Sequence, residues 1–122
     1  MKRFLFFLVT TVVFFATSTA SISSVERDGS WYKIYNESGR LSHSIQASVG
    51  ELQGFGTDFF IVKSGSWYKI YTEKGKLYKS LLVSSVGEIL SVGATTFTSR
   101  SGSWVYTWNR DGKRISSRQA SR

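Results

Sequence analysis

Seven residues, Gly-Ser-Trp-Tyr-Lys-Ile-Tyr, stand at positions 29–35 and again at 65–71, and an altered copy, Gly-Ser-Trp-Val-Tyr-Thr-Trp, stands at 102–108. The three glycines lie 36 and then 37 residues apart. A heptad of this specificity at a fixed period marks a structural repeat, in which each copy is one supersecondary unit that buries its apolar face against its neighbours. No other feature of the chain constrains its fold so tightly.

The period cannot extend over the whole chain. Met1-Lys2-Arg3 is a short basic start, 4–16 is an apolar and threonine run, and Thr17-Ser18-Thr19-Ala20 is small and polar. This order, with Ser18 and Ala20 at the −3 and −1 positions, predicts a cleaved secretory signal peptide over 1–20. The apolar run is also well short of the roughly 20 residues that a membrane-crossing helix needs. The expected product is a secreted or periplasmic, soluble protein with no membrane span, formed by one all-β domain over 21–122. With no Cys in the chain, it is not a lipoprotein anchored through cysteine, and a small secreted domain must find its stability without disulfides. Dense β pairing or association with further copies, a homo-oligomer, would supply it.

From Ser21 onward β-branched and aromatic residues dominate, no helical spacing persists, and Ser and Gly punctuate. Aligning the copies predicts an antiparallel meander of tandem four-strand repeat units over 22–48, 49–85 and 86–122. The first unit lacks its leading strand, because the counterpart falls in the signal peptide. Asp28-Gly29, Ser64-Gly65 and Ser101-Gly102 read as two-residue hairpin loops. Glu37-Ser38-Gly39, Glu73-Lys74-Gly75 and Arg110-Asp111-Gly112 read as three-residue loops closed by a left-handed glycine. The chain has no Pro, which suits uninterrupted ladders. In the third strand of each unit both faces are largely apolar, so these strands are expected to be covered on both sides. Ser24, where Phe60 and Phe97 stand in the later copies, and Arg114, where Leu41 and Leu77 stand in the earlier ones, make the two ends of the array more polar. Repeat proteins end in this way.

Four-strand meanders of this length resemble the blades of a β-propeller, and three such units resemble a β-trefoil; fewer than three complete blades would not close a ring within one chain. The heptad, followed by Gly39 or Gly75, is similar to the hairpins of choline-binding cell-wall repeats, whose repeat is much shorter than this one. That resemblance implies an aromatic binding surface.

For chemistry, the candidate ligand-binding set is Trp31, Lys33 and Tyr35, their counterparts Trp67, Lys69 and Tyr71, and Trp104 with Trp108. Indole and phenol rings stack on the apolar faces of sugars, and a neighbouring ammonium attracts anions. The competing reading, which repetition itself favours, is that these rings fill the space between sheets while the lysines extend outward. The formal charge is +8, or +6 without Lys2 and Arg3, so an extracellular glycan or an acidic surface is the expected partner; charge of this size also serves solubility alone. A basic strip is expected at the last turn of each unit, with Arg40, Lys74, Lys76, Arg110, Lys113 and Arg114 diluted by Glu37, Glu73 and Asp111. Nothing specifies a nucleic acid, a cofactor or a metal, since His43 is the only His and there is no Cys. Glu51 and Glu88 each follow Val-Gly, which repetition explains without catalysis. No enzyme is expected.

Overall fold

The computed structural model describes residues 21–120; the signal peptide expected over 1–20 lies outside the described residues. Eleven strands form three antiparallel sheets, each a meander. The first holds β1 (Ile22–Asp28), β2 (Trp31–Asn36) and β3 (Leu41–Gln46). The second holds β4 (Glu51–Phe55), β5 (Phe59–Ser64), β6 (Trp67–Thr72) and β7 (Leu77–Leu82). The third holds β8 (Glu88–Val92), β9 (Thr96–Ser101), β10 (Trp104–Asn109) and β11 (Arg114–Gln119). The fold class is therefore all-β, as expected. A 3-10 turn at Ala47–Val49 and a four-residue helix, α1 (Val83–Val86), link one sheet to the next. The β-rich pattern gave no sign of either, because one helical turn is too short to leave a periodicity.

The two-residue loop of each unit sits one residue later than its dipeptide suggests. Asp28 pairs with Trp31, Ser64 with Trp67 and Ser101 with Trp104. The loops are thus Gly29-Ser30, Gly65-Ser66 and Gly102-Ser103, with the glycines at φ of 64°, 61° and 63°. Glycine at the first loop position is what a tight primed turn demands, since left-handed φ costs it nothing. The second loops match expectation. Asn36 Oδ1 accepts from the backbone of Ser38 and Arg40, Asn109 Oδ1 accepts from Asp111 and Lys113, and the ladder slips by one residue between Ile34 and Tyr35.

The sheets stack, and the stacking decides the role of each face. Tyr32 and Ile34 of β2 pack with Phe60, Val62 and Tyr71 of the second sheet. Phe59, Ile61, Tyr68 and Ile70 on its opposite face pack with Phe97 and Trp108 of the third. The middle sheet is covered on both sides, which is why Phe59, Phe60, Ile61 and Val62 are all buried in succession. Backbone bonds cross the seams as well: Ile22 N donates to Thr57 O (2.7 Å) and Thr57 N to Ala94 O (2.8 Å).

One phenol fastens each sheet to the next. Tyr32 Oη donates to Gly50 O (2.7 Å) and accepts from Leu52 N (3.0 Å), so it holds the first turn of the second sheet. Tyr68 Oη donates to Gly87 O (2.7 Å) in the corresponding place; its burial raises its pKa, which keeps the donor proton in place. Val105, at the third such position, carries no hydroxyl.

Candidate functional site

The sequence candidates divide into exposed and buried groups. Trp31, Trp67 and Trp104 each open their strand beside the glycine loop, and their side chains point the same way in successive sheets. They are 44%, 43% and 41% exposed. Stacked sheets are separated by about 10 Å, so three equivalent strand positions on successive sheets span about 20 Å along one rim. Trp67 pairs across the ladder with Leu82, also exposed, which widens the apolar strip at its centre. Gln46 and Gln119 pair with Trp31 and Trp104, and their amides provide donors and acceptors at either end.

Two of the remaining aromatic candidates face inward. Tyr71 is buried and stacks on Phe60 with ring centroids 5.4 Å apart. Trp108 is 8% exposed and stacks on Phe97 at 6.1 Å. Neither ring has a free face for a ligand. Tyr35 occupies the position of Tyr71 on the outer face of the first sheet, where no sheet covers it, and is half-buried. A buried indole needs an acceptor. Trp108 Nε1 donates to Ser99 Oγ (2.9 Å), and Ser99 Oγ donates to Val86 O (2.6 Å). Ser99 stands where the second unit has Val62, so the exchange of Tyr71 for Trp108 comes with a matched exchange beside it.

The two lysines differ in their surroundings. Lys33 Nζ lies 2.7 Å from Asp28 Oδ2, on the outer face of the first sheet. The hydrogen bond and the charge of Lys33 hold the Asp28 carboxyl below the ordinary aspartate range, and the same bond raises Lys33. Ser64 replaces Asp28 in the second unit, and among the described residues Lys69, on the same strand face as Trp67, forms no ion pair. His43 is exposed and engages Ser42 Oγ through Nδ1 (2.9 Å). Among the described residues no group of His, Asp and Glu could hold a metal ion.

At the other rim, the expected basic strip is partly spent on internal contacts. Arg110 forms an ion pair with Asp58, and the Arg114 guanidinium lies 4.4 Å from the centre of the Tyr106 ring. Here the structure opens a cavity of about 220 Å³ between the second and third sheets, walled in part by Asp58, Tyr78, Arg110 and Asp111. The sequence reading named Arg110 and Asp111 among the turn charges but did not link them to Asp58 or Tyr78. The available signal was their departure from the repeat: Ile22, Ser42, Glu73 and Lys74 stand at the preceding positions.

Compared with known proteins, the chain matches no family model, no curated protein and no solved structure. Among the described residues no helix is long and apolar enough to cross a membrane.

Proposed function

We propose that the protein is a non-catalytic binding module for an extended extracellular or envelope glycan, built as a tandem array of propeller-blade-like units and exported by the segment over 1–20. The observation that carries this reading is the row Trp31, Trp67 and Trp104. A repeat fold that needed these rings only as core would bury them, as it buries Tyr32 and Tyr68. It leaves them about two-fifths exposed instead, one per sheet on a common rim. Such a row suits a polymer with its own repeat, because linked weak sites gain through effective concentration. Lys69 beside Trp67 and the overall positive charge favour an acidic polymer. The row offers stacking platforms and no nucleophile or proton-transfer pair.

Titrating polysaccharides against tryptophan fluorescence tests the reading. An acidic glycan should shift the emission, and Trp67→Ala should weaken binding by roughly 5- to 150-fold, from the ~1–3 kcal/mol that one stacking contact contributes. Unchanged emission with every glycan, or unchanged affinity in a folded Trp67→Ala protein, would remove the proposal. Self-association is the second reading, and one feature favours it. Among the described residues the edge of β1 carries no strand where β4 and β8 flank the other two sheets, and exposed edges recruit strands. Light scattering that finds a monomer at every concentration sinks it.

A further inference from the structure

Arg27 and Lys69 put two cations on the seam between the first and second sheets, with no carboxylate of either sheet beside them. Arg27 pairs across the ladder with Tyr32, so it shares the face that packs toward the second sheet. Lys69 shares the strand face of Tyr71, which packs toward the first. The carboxylates of these two sheets lie elsewhere. Glu26 and Asp28 alternate onto the outer face of the first sheet, where Asp28 binds Lys33. Glu51 pairs with Lys63, which pairs in turn with Tyr68, so all three take the face toward the third sheet. Glu37, Asp58 and Glu73 stand in loops at the far ends of the strands.

The next seam is built differently. Lys63 stands there in the place of Arg27, but β4 sets Glu51 opposite it, and Tyr106 takes the place of Lys69. Arg100, the third equivalent, has Glu88 opposite. The first sheet has no strand corresponding to β4. Among the described residues, Arg27 is therefore the one of these three cations with no carboxylate across its ladder, and it forms no ion pair.

Its guanidinium is also held in place. Arg27 Nε donates to Gly29 O (3.0 Å), which sets the group against the glycine loop and leaves its two amino groups as a fork. Such a fork matches a carboxylate through two parallel hydrogen bonds. Beside it lies a cavity of about 340 Å³ lined by Arg27, Ser30, Gln46, Ala47 and Ser48. Two hydroxyls and an amide add neutral donors to the charged one. Ser30 precedes Trp31, and Gln46 is the ladder partner of Trp31. Trp67, on the face of Lys69, opens onto the same seam from the second sheet. The cavity thus sits on the tryptophan rim between the first indole and the second.

We propose that this cavity is the acid-reading subsite of the rim. Arg27 takes the carboxylate of a uronic-acid unit, while neighbouring sugars of the same chain stack on Trp31 and Trp67. The inference rests on the glycan reading above and narrows it, from an acidic polymer in general to one whose charge is a carboxylate on the sugar itself.

The test compares hexagalacturonate with its methyl ester, which keeps the sugar rings and removes the charge. Followed by tryptophan fluorescence, the acid should bind roughly tenfold more tightly than the ester. Arg27→Gln should bring the acid down to the affinity of the ester and leave the ester unchanged. Arg27→Lys keeps the charge without the fork and should recover only part of the difference. Arg100→Gln is the control, because Arg100 Nε likewise donates to its loop at Gly102 O (3.1 Å) but faces Glu88 across the ladder; the preference for the acid should survive it. Equal binding of acid and ester by the unaltered protein would overturn the subsite and leave the stacking row standing. A preference that persists in Arg27→Gln, or that Arg100→Gln abolishes as fully, would do the same. Binding of neutral glycans with no response to the acid also overturns it, whereas silence toward every glycan removes the parent reading as well.

Discussion

Ser99 and Trp108 show how a single side chain can be wrong for the repeat and right for its place. Restoring the repeat's residue with Ser99→Val strands the Trp108 indole N–H in an apolar layer. The expected loss is ~1–3 kcal/mol, read from the denaturant midpoint. Adding Trp108→Tyr recreates the pairing of Val62 with Tyr71, so the double variant should recover most of that loss. A double-mutant cycle with no coupling would refute the account. The Asp28–Lys33 pair makes a pH-dependent prediction. Asp28 is depressed, so its contribution is present above the ordinary aspartate range and fades as pH falls through its lowered value. Lys33 is raised, so its contribution holds below the ordinary lysine range and fades as pH rises through its raised value. Asp28→Asn should therefore lower stability near neutrality and change nothing at about pH 2; an equal effect at both would show that the charge is irrelevant. Both groups are solvent-exposed, so the effect is small.

At the scale of the element, the hairpin was legible in the sequence and its exact loop was not. The spaced glycines located each unit and its hairpin loops, because turn chemistry is a local signal. The loop slipped by one residue because Asp28-Gly29 is itself a good turn dipeptide; only the partner across the ladder decides, and that pairing is not local. The two kinds of glycine separate here too. Gly65 has φ of +61° with open space where a Cβ would stand, so Gly65→Ala should cost only the backbone strain of about 1–2 kcal/mol. Gly50 also has positive φ, and its added Cβ would lie 2.6 Å from Lys63 O. Gly50→Ala should therefore lower the midpoint more than Gly65→Ala, and the reverse order would contradict the packing at β4. As for the candidate site, periodicity picked out the recurring aromatic positions but could not say which rings a neighbouring sheet covers. Trp31, Trp67 and Trp104 sit at the strand's start, beyond the seam, while Tyr71 and Trp108 sit within it.

For the whole molecule, three stacked sheets leave two outer faces, and both are polar where the middle sheet is apolar. Ser24 and Glu26 occupy the places of Phe60 and Val62 on the first, and Thr96 and Thr98 those of Phe59 and Ile61 on the third. Terminal units of stacked repeats stay apart by this means. Thr98→Ile, which copies Ile61, should make the third sheet's outer face adhesive, and light scattering should report a rise in apparent mass with concentration. No change in mass would mean that polarity is not what keeps this face free. The phenol clasps add something that symmetry between units would hide. Tyr32 reaches Gly50 and Tyr68 reaches Gly87, in each case toward residues later in the chain. During synthesis, where domains acquire structure from the N-terminus onward, each completed hairpin therefore waits with its hydroxyl already placed for the segment that emerges 18 or 19 residues later. On a chain that emerges from its N-terminus, neither clasp can close until the next unit has begun to arrive.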